Sequence, residues 1–137
     1  MAHLRPVTIR FFWVMLAVTV AVTALGAVIL GLTGRPPPAI LSFVPPAVAG
    51  FDAGREIKRR EGPGLSARSW MGYAAICFCV NIATSIVIAV GALSSAGLLG
   101  GFFASGLGPI LAPFAIFAAL FFIMIRVTMW FGARSVA

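Results

Sequence analysis

Four runs of residues almost free of charge, separated by breaks rich in proline, charge or glycine, organise this chain. The first covers residues 11–32, which carry no charged side chain. As a helix it would be roughly 33 Å long, enough to cross the hydrocarbon core of a bilayer. Residues 33–38 form a short turn whose proline triplet suits the entry of a new helix. The second run, 38–54, is the irregular one. Pro45 and Pro46 stand in its middle; each lacks a backbone donor, so the pattern predicts a span broken there. Such a break persists in lipid only where neighbouring helices or water satisfy the freed carbonyls, which places this span inside the bundle. It is expected to run on as a helix to about Arg60, supported by Asp52–Arg55 and Glu56–Arg60 pairs at i, i+3 and i, i+4, and to end at Gly62-Pro63-Gly64.

The third run covers 71–93, entered through Ser66 or Ser69 as N-cap, with Asn81, Thr84 and Ser85 as its polar residues. Residues 94–108 are glycine-rich and uncharged, read as a tight loop or a re-entrant turn. The fourth run covers 109–131. The pattern as a whole predicts an all-α, integral membrane four-helix bundle forming a single domain over 1–137, with a basic loop at about 52–70.

Composition strengthens this reading. The 137 residues are 61% hydrophobic and 9% charged, against about 25% charged in ordinary soluble domains. Lipid, not water, is the expected solvent. The net charge of +7 reads as topology and attraction to anionic headgroups, not as a nucleic-acid surface, because the basic residues flank the runs and do not form a face. Nine of the ten Lys and Arg residues lie in the N-terminal tail, the central loop and the C-terminal end; only Arg35 lies between runs one and two. The positive-inside rule then places both termini in the cytoplasm. Trp13, Trp70, Tyr73 and Trp130 all fall at that same side, as interfacial anchors should. The first run exceeds a signal-peptide core of roughly 7–15 residues and is expected to be kept as a span.

The chemistry-bearing residues are few. Runs one and three contain no ionisable carboxylate or base, the usual mark of an intramembrane enzyme or pump. The single histidine, His3, lies on the tail, and Cys77 and Cys79, two apart on a helix, point away from each other. No catalytic residues, cofactor or metal are expected. Arg55, Lys58, Arg59, Arg60 and Arg68 are candidates for docking lipid headgroups or a partner. Asp52, Asn81 and Arg126 are candidate buried polar or partner contacts, with Arg126 either snorkelling to the interface or bonding free carbonyls near Pro45. Phe114, Phe117, Phe121 and Phe122 share one helical stripe, along which a lipid, quinone or pigment tail would fit. Small residues recur four apart at Ala17/Ala21, Ala27/Gly31, Ser85/Ala89, Gly97/Gly101 and Ala115/Ala119, the spacing that lets helices approach closely in lipid.

The stretch Ala49-Gly50-Phe51-Asp52-Ala53-Gly54-Arg55, followed by Gly62-Pro63, Ser66, Trp70 and Ala74, resembles the central loop of a family of small uncharacterised four-span bacterial inner-membrane proteins. The resemblance implies that fold and a bacterial cytoplasmic-membrane address, and no activity. The expected function is a non-catalytic accessory or assembly subunit packing against other integral membrane subunits of a larger complex, such as an energy-transducing one. The alternative is a small transporter or channel component with a polar path lined by Asn81, Thr84, Ser85, the free carbonyls near Pro45 and Asp52.

Overall fold

A computed structural model describes residues 3–62, 64–97, 100–101 and 108–136. They contain four α-helices and no strand: α1 (Leu4–Thr33), α2 (Val44–Glu61), α3 (Ala67–Ser95) and α4 (Gly108–Arg134). A 3-10 turn over Ala39–Phe43 precedes α2. Three of the helices, α1, α3 and α4, are long and apolar enough to cross a membrane.

The second run departs from its expected form. Pro45 and Pro46 occupy the first turn of α2, where backbone N–H groups have no acceptor within the helix itself. They start the helix; they do not kink one. The residues before them follow the tighter 3-10 path, and α2 is an 18-residue helix whose last turn carries Lys58, Arg59 and Arg60, favourably placed against the helix dipole. It is therefore not a fourth helix of apolar, membrane-crossing length. Gly62 ends it with φ +76°, a conformation that side chains resist. Ser66 caps α3, its hydroxyl accepting from the Ser69 N–H. Most of the 94–108 segment, whose loop was expected to be tight or re-entrant, lies outside the described residues.

All helices converge at one end, where the start of α1 and of α3 meets the end of α2 and of α4. The core sits there. Val7, Phe11 and Met15 contribute one residue per turn of α1; Ala49, Ala53 and Ile57 come from α2, Tyr73, Ala74 and Cys77 from α3, and Ile125 and Met129 from α4. Toward the other end burial nearly stops: beyond Met15 only Gly26 is buried in α1, and beyond Asn81 nothing is buried in the described part of α3.

The tightest contact joins α2 to α4. A Cβ on Gly54 would collide with the Met129 backbone, one on Gly132 with the Phe51 backbone, and one on Gly50 with the Thr128 hydroxyl. Backbone lies on backbone, the geometry small residues four apart permit. The pair used, Gly50 and Gly54, is not among the five pairs singled out from spacing.

Candidate functional site

At the charged end the three acidic residues tie the helices together. The Arg10 guanidinium on α1 grips Asp52 on α2 with two bonds, Nε to Oδ2 at 2.6 Å and Nη2 to Oδ1 at 2.9 Å. A third bond, from Nη1, reaches Glu56 at 3.2 Å. Glu56 is buried and also accepts from Arg60 one turn on. Asp52 thus pairs with a residue 42 positions away, not with Arg55 as local spacing suggested. Arg55 instead lies over the Phe51 ring at 6.0 Å, its Nε buried without a partner.

Glu61, at the end of α2, accepts from the Tyr73 hydroxyl on α3 and from the His3 backbone N–H before α1. The Tyr73 bond is the main reason its carboxyl titrates below the ordinary 4.5, with the His3 bond adding to it. A depressed carboxylate stabilises the fold above its unfolded pKa, and that contribution fades as pH falls through the folded value. Acid unfolding of the wild type is therefore expected to gain a component below about pH 4.5 that Tyr73→Phe lacks, measurable as convergence of the two unfolding midpoints when pH is lowered. Tyr73, expected as an interfacial anchor, is the largest fully buried side chain among the described residues.

The other aromatic and basic candidates sit as follows. Trp13 and Trp130 are exposed; Arg134 stacks over Trp130 at 3.7 Å. Arg126 is half-buried with its guanidinium over Trp70 at 5.9 Å, not beside Pro45. Arg59, Arg60 and Arg68 are exposed, and Lys58 is half-buried. Phe114 and Phe117 are exposed, whereas Phe121 stacks on Phe43 at 5.0 Å and Phe122 meets Phe78 edge-on, so the stripe divides between outside and inside.

Toward the other end, α1 and α3 leave between them a cavity of ≈ 540 Å³ lined also by the 3-10 turn. Asn81, Thr84 and Ser85 line it from α3, Pro45 and Pro46 from the start of α2, and Phe121 from α4. Four of the residues expected to form a polar path, Pro45, Asn81, Thr84 and Ser85, are therefore brought together. The fifth, Asp52, is not: it lies about two turns further along α2, with the buried Ala49 and Gly50 between, and is held by Arg10. Among the described residues no group of His, Cys, Asp and Glu is placed to hold a metal ion.

No known family, curated protein or solved structure matches this chain.

Proposed function

We propose that this chain is a non-catalytic integral membrane subunit that docks other membrane helices against its outer surface. One observation carries the reading. The small-residue pairs Ala17/Ala21, Ala27/Gly31, Ser85/Ala89 and Ala115/Ala119 are all exposed, while close packing inside the chain runs through Gly50, Gly54 and Gly132. Surfaces suited to close helix approach are left unused by the chain itself. The bacterial cytoplasmic-membrane address, with both termini inside, rests on the basic flanks and the central-loop resemblance.

Purification of the tagged chain from its native membrane in mild detergent, followed by native gel and mass spectrometry, tests this. Stoichiometric co-migration with a larger assembly is expected. The triple variant Ala17→Leu, Ala21→Leu, Ala115→Leu should lose that co-migration without a lower unfolding midpoint, since all three sites are exposed. Migration of the wild type alone sinks the reading.

A second reading, a small transporter component, draws on the clustering of Asn81, Thr84 and Ser85 around one cavity. Uptake into proteoliposomes separates the two. Under the transporter reading, Asn81→Ala abolishes flux; under the subunit reading the wild type carries none.

A further inference from the structure

We infer that the cavity under the α1–α2 turn binds an uncharged apolar molecule whose carbonyl oxygen hydrogen-bonds to Asn81, the chemistry of a membrane quinone. Asn81 is 4% exposed, and among the described residues its carboxamide has no hydrogen-bond partner. That group carries two N–H donors and an acceptor oxygen, and buried amides in native proteins are satisfied almost without exception. It lines the cavity, and its polar atoms are open to that space and not sealed in protein, so a molecule entering there meets them directly. The neighbouring threonines do not donate to it: Thr19 and Thr84 give their hydroxyl hydrogens to the Met15 and Val80 carbonyls of their own helices. Ser42, also on the wall, has prolines at i+3 and i+4, so its carbonyl has no helical donor and offers a second polar point. The Leu41 carbonyl, by contrast, takes the Val44 N–H.

Depth selects the class of ligand. Asn81 is the central residue of the 29-residue α3, about 21 Å from either end. A fatty acid or phospholipid held by its headgroup at the surface would bring only methylene or methyl groups so deep. A quinone can bring ring carbonyls. No lining residue is charged among those described, which disfavours an ionised ligand. The walls are mainly apolar, with Val22, Leu30, Ile88 and the Phe121 ring, itself braced by Phe43. The volume falls in the range of about 300–1,000 Å³ usual for small-molecule sites. The cavity is partly open, and Ala27 and Ser85 on its wall also belong to the exposed small-residue pairs, so a subunit docked there would border the bound molecule.

The test uses the full chain in phosphatidylcholine nanodiscs with a decyl-substituted benzoquinone as probe, bound quinone being read by equilibrium dialysis and native mass spectrometry. Saturable binding of one quinone per chain is expected, with Asn81→Leu weakening it about tenfold while the ligand-free unfolding midpoint stays level or rises. Ser85→Phe, which adds a ring to the cavity wall, should also weaken binding and serves if the Asn81 variant does not accumulate. Uptake no greater than in empty nanodiscs, equal affinity in the variants, or a resident phospholipid that quinone does not displace would each overturn the assignment.

Discussion

Replacing Gly54 by leucine is expected to abolish the folded bundle, and Gly54→Ala alone should lower stability by about 1–3 kcal/mol. The reason is the absence of room. The space a Cβ would need is filled by the Met129 carbonyl and α-carbon, which are main chain and cannot rotate aside. The two helices would have to separate, and the neighbouring contact of Gly132 on Phe51 would open with them. Gly132→Leu should therefore fail in the same way. Gly31 and Gly91 supply the control, since nothing lies within 4 Å of a Cβ at either. There, alanine removes only the entropic cost of glycine in a helix and should stabilise by up to about 1 kcal/mol. Thermal unfolding in detergent, followed by circular dichroism and size-exclusion recovery, reads all five variants. Equal tolerance at Gly54 and Gly31 would show that α2 and α4 do not touch through their backbones.

Removing Arg10 and Arg60 together is expected to cost far more than the sum of removing each. Arg10 is 45% exposed at its side chain and Asp52 23%, so the bond between them is largely bathed in solvent, worth about 0.2–1 kcal/mol. Glu56 differs, with a side chain only 9% exposed and one oxygen committed to each arginine. Either single change leaves it one cationic partner. The double change leaves a buried carboxylate with neither, a situation that costs about 3–5 kcal/mol. A cycle of Arg10→Ala, Arg60→Ala and the double variant should show that excess as a coupling energy. Adding Glu56→Gln to the double variant should recover most of the loss. Simple additivity would mean that Glu56 is hydrated after all.

The long uncharged runs made α1, α3 and α4 visible in the sequence, because few arrangements other than a membrane-length helix suit so many apolar residues in succession. The second run was harder for a definite reason. Proline interrupts a helix in its interior and begins one at its first turn, so the meaning of Pro45-Pro46 depended on where α2 starts, and no N-cap serine, threonine or aspartate marks that point. The partner of Asp52 was hidden because spacing rules offer only neighbours on the same helix, whereas Arg10 arrives from another. The Gly50–Gly54 seam was hidden by abundance: small residues four apart are everywhere in this chain, and only tertiary contact separates the pair that packs from the pairs that stay outside. Asn81, Thr84 and Ser85 stood out as the polar residues of their run, but their meeting with Pro45 around one cavity depends on how far α1 and α3 diverge.

The seam has a consequence for how the chain is made. It joins the second helix to the last, so the glycine face of α2 has nothing to rest on until α4, 27 residues at the far end of the described chain, has been synthesised and inserted. At ordinary elongation rates that interval is on the order of 10 s. During it α1 and α3 can pair, yet α2 presents bare backbone to whatever surrounds it. Ribosome-bound chains truncated before α4 should accordingly be substrates for membrane quality control, and a chain that fails to insert its last helix should be removed as completely as one that lacks its first.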